Sequence, residues 1–214
     1  LVMSSQRRAR ERAQRKEGIL QAARAAFAES GYRRTTVEAV AERAEIGKGT
    51  IYLYFESKDA IQAELLLQAL AELQAQLKAA GDNPATQRPD QKLRAMADAY
   101  LDFAQNIPDY FRLLNAYDRG DFEQGTSTQQ QERLLEASNN ALDLVTQAIA
   151  DGMASGLFGQ GDPRKMAAVL WGAMNGALSL LAHPIRRNML PGTDGQALCL
   201  ATVDLLLQGL MDQK

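Results

Sequence analysis

The segment from Glu17 to Phe55 constrains the fold more than any other part of the chain. Ile19, Leu20, Ala23, Ala26 and Phe27 recur at helical spacing and line one face of a helix. Gly31 supplies its stop. Thr35-Thr36-Val37-Glu38 then has the form of a capping box, which predicts the Thr35 hydroxyl on the Glu38 amide and the Glu38 carboxylate reaching back. Val37, Val40, Ala41 and Ala44 give a second helix a narrow apolar seam, and Glu45-Ile46-Gly47 breaks it. A third helix is expected over 48–55, and Ser57 caps a fourth that begins at Lys58. Two short helices joined by a tight turn behind a supporting helix form a helix-turn-helix, whose second member enters the major groove of DNA.

The remainder repeats one theme. Ala, Leu, Gln, Glu and Arg dominate, while runs of Val, Ile and Thr are scarce, so the fold class is all-α. Further helices are expected near 91–106, 108–117, 129–153, 163–182 and 194–212, about nine in all, separated by loops rich in Gly and Pro. The expected organisation is a basic N-terminal arm over 1–10, a three-helix helix-turn-helix domain over 11–57 and a C-terminal helical domain over 58–214. No apolar stretch reaches the roughly 18 residues that a membrane span needs, so no membrane partner is expected. The N-terminal basic residues have no apolar segment behind them, which argues against a secretory signal. The single Cys199 excludes an intrachain disulfide, and a cytoplasmic location is expected.

The formal charge of −2 conceals an uneven distribution. Residues 1–58 hold 12 Lys and Arg against 7 Asp and Glu, whereas the rest holds 12 against 19. Salt-sensitive binding to DNA depends on the charges that face phosphates, so an acidic total does not oppose it. In the third helix Ile51 and Phe55 are spaced to bury against the first two. Lys48 with Tyr52, and Thr50 with Tyr54, form flanking stripes able to contact bases or phosphates. Tyr52 and Tyr54 also suit a packed core with satisfied hydroxyls.

The stretch GYRRTTVEAVAERAEIGKGTIYLYFESKDAI, residues 31–61, resembles the signature of the TetR family of regulators. The resemblance covers about 50 residues, 11–61; beyond them it extends only to helix layout and length. It implies that Lys48, Thr50 and Tyr52 read bases, and that Thr35, Thr36, Gly49, Tyr54 and Lys58 hold phosphates. The chain departs from the usual pattern at Glu45, where Gly is common, and at Gly47, where a Ser cap is common. Glu45 there either repels phosphate or reads a cytosine amino group.

The segments 163–182 and 196–211 are apolar around most of their circumference and must be covered on several sides. A plain monomeric core would do this. The resemblance implies instead a homodimer in which a two-helix hairpin pairs with its twin, placing Gly172, Gly176, Ser179, Leu180, Leu198, Thr202, Leu205 and Leu206 at the interface. Paired reading heads then match a palindromic operator in double-stranded DNA. The resemblance also implies a small effector among the C-terminal helices. Met96, Tyr100, Phe103, Tyr110, Phe111, Trp171 and Met174, with Asn115 and Asn175 as polar anchors, are either its pocket or ordinary core. Their mix suits a largely apolar effector.

Catalytic signals are weak. One Cys and one His leave no ordinary zinc set, so no metal is expected. His183 suits a helix C-cap or a surface position better than a base. GLFGQG at 156–161 is not a dinucleotide fingerprint, and no cofactor or enzymatic activity is expected. The expected function is a sequence-specific transcriptional regulator, most simply a ligand-released repressor; the alternative is an effector-independent architectural or protein-interaction factor on the same fold.

Overall fold

The computed structural model describes residues 2–118, 126–182, 185 and 188–211, with side chains from residue 6 onward. His183 lies outside the described residues. Nine helices occur among the described residues: α1 (Val2–Ser30), α2 (Val37–Arg43), α3 (Lys48–Tyr52), α4 (Lys58–Gly81), α5 (Pro89–Asn106), α6 (Pro108–Asp118), α7 (Thr128–Ala154), α8 (Pro163–Ala182) and α9 (Gly195–Met211). The all-helical class stands as expected.

The helix limits follow from their caps. Ser57 Oγ accepts from the Ala60 amide at 3.0 Å and opens α4. Ser127 and Gln130 form a reciprocal box before α7, with the Ser127 amide donating to Gln130 Oε1 at 2.9 Å and the Gln130 amide to Ser127 Oγ at 3.3 Å. Asp162 and Asp194 accept from the first amides of α8 and α9. Pro89 sits in the first turn of α5, where its missing N–H costs no helical bond.

Residues 2–10 correct the expected arm: they are the first turns of α1. Arg, Gln, Ala and Glu are good helix formers, and Arg7 Nε donates to Glu11 at 2.8 Å one turn on.

The chain divides into two compact units. The first comprises 1–69 and 109–135; the second comprises 70–108 and 136–214. The helix-turn-helix segment lies wholly within the first. Its core holds Ile19, Leu20, Ala23, Phe27, Val40, Ile51, Phe55, Ile61 and Leu65. Around it Arg24 stacks on the Tyr110 ring at 4.0 Å, the Tyr110 hydroxyl donates to Gln68 at 3.0 Å, and Gln68 donates to Glu17 at 3.0 Å. That chain of contacts fastens α6 to α4 and α1.

In the second unit α9 packs on α8 and α5. Phe103, Ile149, Phe158 and Leu207 are fully buried there. At the end of α7, Gly156 takes φ +72 and the Phe158 ring folds back on Gly152.

One membrane-related expectation needs correction. By length and composition α8 is long and apolar enough to cross a membrane. Gly172, Asn175, Gly176 and Ser179 interrupt the apolar run, but its mean hydropathy stays high. In the structure α8 buries Ala167, Leu170 and Met174 within the unit and leaves Val169, Trp171, Gly172, Gly176 and Ser179 exposed.

Candidate nucleic-acid interface

The candidate interface is assembled by two turns, each with a local cause. Gly31, at φ +76, ends α1 with its amide on the Phe27 carbonyl at 2.9 Å. Thr36, not Thr35, is the N-cap of α2, and its hydroxyl accepts from the Ala39 amide at 3.2 Å. The expected capping box is therefore not formed: position N3 is Ala39, which cannot reach back, and Thr36 acts as a single cap. Thr35 is 3% exposed, and its hydroxyl donates to the carbonyls of Ala26 and Gly31, so it is removed from the expected phosphate contacts. A buried hydroxyl satisfied in this way ties the connector to α1.

After α2 the chain closes a Schellman turn. The Ile46 amide donates to the Ala41 carbonyl at 3.0 Å and the Glu45 amide to the Glu42 carbonyl at 3.1 Å. Glu45 occupies the left-handed position at φ 54, where glycine costs nothing. Gly47 then caps α3 without a side-chain bond. Both departures from the family signature thus fall on the turn between the two helices.

α3 is shorter than the expected 48–55 and ends at Tyr52. The Leu53 and Tyr54 amides reach back three residues, to Thr50 and Ile51, which tightens the last turn out of α-geometry. The Phe55 amide still bonds the Ile51 carbonyl at 2.9 Å, so Ile51 and Phe55 stay buried together. Lys48, Gly49 and Tyr52 are exposed; Thr50 and Tyr54 are half-buried. The structure thus presents one polar flank of a stub helix to solvent while its apolar flank anchors it.

Two partners of that flank escaped sequence reasoning. The Lys48 ammonium pairs with the Glu38 carboxylate of α2 and lies 5.7 Å from the Tyr52 ring centre. The Lys48 bond and charge hold the Glu38 carboxyl below its ordinary range, helped by its own amide and the Thr36 hydroxyl; Glu38 in turn raises the Lys48 ammonium. Arg12 of α1 lies over the Tyr54 ring at 5.4 Å, and its guanidinium donates to the Leu53 carbonyl at 3.4 Å. No local spacing links Arg12 with Leu53 or Glu38 with Lys48; only the fold does.

Lys58 also takes a different task from the expected one. Its ammonium donates to the carbonyls of Tyr32 and Thr35 at 2.9 and 2.8 Å and lies 4.2 Å from the Tyr32 ring centre. It is a structural tie between the α1–α2 connector and the start of α4. Beside it the Tyr32 hydroxyl bonds Asp59, and burial first, then this bond and the Asp59 charge, push the phenol well above its ordinary value.

The C-terminal candidates divide between the units. In the second, the Tyr100 hydroxyl bonds Asn175 between α5 and α8, with Met96, Phe103 and Met174 buried and Trp171 43% exposed. In the first, Tyr110 belongs to the Arg24–Gln68 chain, Asn115 donates to the Phe111 carbonyl at 3.1 Å, and Phe111 is half-buried. Tyr110 and Asn115 thus have partners in the first unit itself. Of the expected interface residues, Gly172, Gly176, Ser179 and Leu205 are exposed, whereas Leu180, Leu198, Thr202 and Leu206 are half-buried.

Comparison with known proteins agrees with this architecture. Residues 19–65 match the family model of bacterial regulatory proteins of the tetR family, and residues 93–204 match a tetracyclin repressor-like C-terminal domain. The chain is 31% identical over 156 residues, 73% of its own length and 78% of the other's, to an uncharacterized HTH-type transcriptional regulator, YhgD of Bacillus subtilis strain 168. It is 36% identical over 95 residues, 44% of its length and 43% of the other's, to the HTH-type transcriptional repressor KstR of Rhodococcus jostii RHA1. In fold it is similar to the transcriptional regulator FadR of Bacillus subtilis, solved in complex with stearoyl-CoA, at a TM-score of 0.68 and 19% identity over 92% of this chain and 98% of that one. A reading head built on the family's helix-turn-helix, followed by the family's C-terminal domain, accounts for most of the chain: it belongs to the tetR family of bacterial regulatory proteins and is a DNA-binding transcriptional regulator of the repressor type.

Proposed function

We propose that the protein is a homodimeric repressor that binds a palindromic operator in cytoplasmic DNA and leaves it when a largely apolar effector binds the C-terminal helices. The observation that carries the DNA reading is the division of α3: Ile51 is 1% exposed while Lys48 and Tyr52 project outward, 47% of Tyr52 being exposed. A helix with that division fits a major groove about 12 Å wide. Lys48, Thr50 and Tyr52 approach base edges; Thr36, Gly49 and Tyr54 lie at the flanks where phosphates run.

The two-fold reading is supported by α8 and α9, which leave Val169, Gly172, Gly176 and Leu205 uncovered in the single chain. Exposed apolar residues on packed helices call for a partner, and small residues permit close approach. The residue ranges 11–57 and 58–214 serve as the DNA-binding and the ligand-binding and dimerising parts.

The effector reading is supported by the Tyr100–Asn175 pair, a polar contact next to buried Met96, Phe103 and Met174. A few polar anchors in an apolar lining suit a molecule with a long apolar body and a polar end. The likeness to a regulator solved with stearoyl-CoA directs the first trials to acyl-CoA thioesters.

The test is selection of genomic fragments by purified protein, repeated with a series of acyl-CoA thioesters. One palindromic motif, lost on adding a thioester, is the expected result. Many weak sites, indifferent to every thioester, would support an architectural factor instead.

A further inference from the structure

We propose that Glu38 is a specificity-determining residue: its carboxylate, paired with the Lys48 ammonium, directs that cation towards neutral base edges and away from phosphates. The inference rests on the reading that Lys48 faces the groove. It goes beyond that reading by assigning a task to an α2 residue outside the base-reading set.

Lys48 and Glu38 are both exposed, yet they form an ion pair across the turn that joins α2 to α3. The tyrosine ring one turn along α3 lies 5.7 Å from the same ammonium. Glu38 is in the first turn of α2, and the Thr36 hydroxyl and its own amide also favour its charged form. The carboxylate thus keeps its charge in the first turn of α2, beside the Lys48 ammonium.

An ammonium has three N–H donors and no acceptor. With one donor on Glu38, the others remain available to guanine O6 and N7, which carry no formal charge. A phosphate approaching the same ammonium brings a second anion beside the carboxylate. It must either displace Glu38, leaving that charge unpaired beside the DNA, or tolerate the repulsion. A lysine with a built-in counter-anion also releases little from the ion atmosphere of DNA, because its charge is already balanced. Lys48 can therefore discriminate between bases while adding little to sequence-independent attraction. The basic residues of α1 supply that attraction, Arg10 and Arg15 among them being exposed.

The experiment compares full-length wild-type protein with Glu38→Gln, Lys48→Ala and the double variant. Each binds the selected operator duplex and a shuffled duplex of equal length over a salt series. Glu38→Gln should tighten binding to the shuffled duplex, steepen its logarithmic salt slope by about one and lower the operator-to-shuffled ratio by about tenfold. In the Lys48→Ala background, Glu38→Gln should leave the slope where Lys48→Ala alone sets it. A purely structural Glu38 at the start of α2 would weaken both duplexes together, the opposite sign for the shuffled one, and that outcome overturns the proposal. So does an unchanged slope and ratio in Glu38→Gln while operator binding persists. A wild-type protein that binds no duplex at low salt overturns the reading of α3 and this proposal with it, which separates the two failures.

Discussion

At Glu45 an acidic side chain occupies backbone space at φ 54 that favours glycine. The Schellman bonds of Ile46 and Glu45 hold it there, against a cost of about 1–2 kcal/mol for a non-glycine residue. Glu45→Gly should relieve that cost and give part of it back through a freer unfolded chain, for a net gain of about 0.5–1 kcal/mol. Scanning calorimetry should show the melting temperature rising by about 1–4 °C. Tyr32 makes a second residue-scale prediction. Its phenol titrates above the ordinary value of 10.0 in the folded chain, chiefly through burial and then through Asp59. A raised folded value means the contribution is fully present below about pH 10 and is lost as pH rises beyond it. Melting temperatures followed from about pH 8 to about pH 11 should therefore fall more steeply for wild type than for Tyr32→Phe. At this scale the sequence was only partly legible. Thr35 and Thr36 are indistinguishable as caps until the Gly31 turn decides which hydroxyl faces inward. Lys58 resembles any surface cation until the Tyr32 and Thr35 carbonyls arrive from the connector.

Elements were far easier to read. Local caps set the starts of α4 and α8, and both begin where periodicity and breakers placed them. α1 and α3 differ for local reasons too: favourable helix formers extend α1 to Val2, and i−3 bonds shorten α3 to Tyr52. Contacts between elements carry no such local mark. Arg24 and Tyr110 are separated by four whole helices, α2 to α5, yet stack at 4.0 Å. The turn after α7 gives an element-scale prediction. A methyl group added at Gly152 would lie 2.0 Å from the Phe158 ring, whose side chain is 2% exposed and has nowhere to move. Gly152→Ala should cost about 1–3 kcal/mol as overpacking, and chemical denaturation should show the midpoint falling with the slope unchanged. A side chain lost from the opposite partner, Phe158→Ala, should cost about 3–5 kcal/mol by leaving a cavity. The glycine-rich GLFGQG run is thereby explained as a helix stop with a folded-back aromatic.

For the whole molecule, the uncovered residues of α8 and α9 decide what one chain can accomplish alone. Leu205 is 70% exposed and Val169 53%, on helices that pack on each other yet bury only Ala167, Leu170 and Met174 of α8 and Cys199, Val203 and Leu207 of α9. Under the dimer reading, Leu205→Glu places two charges at a two-fold interface. Light scattering should then report a monomer where wild type gives twice that mass, with operator affinity reduced and helical content unchanged. A Leu205→Glu protein with wild-type mass would move the interface elsewhere. The same exposed leucine bears on how such a regulator responds to its own abundance. If two copies must meet before either grips its half of the site, occupancy at low expression rises with the square of the number of chains. Under that reading modest changes in synthesis or turnover would become sharp changes in output, and gene-dose sensitivity would follow from exposed apolar residues that lie outside the helix-turn-helix segment.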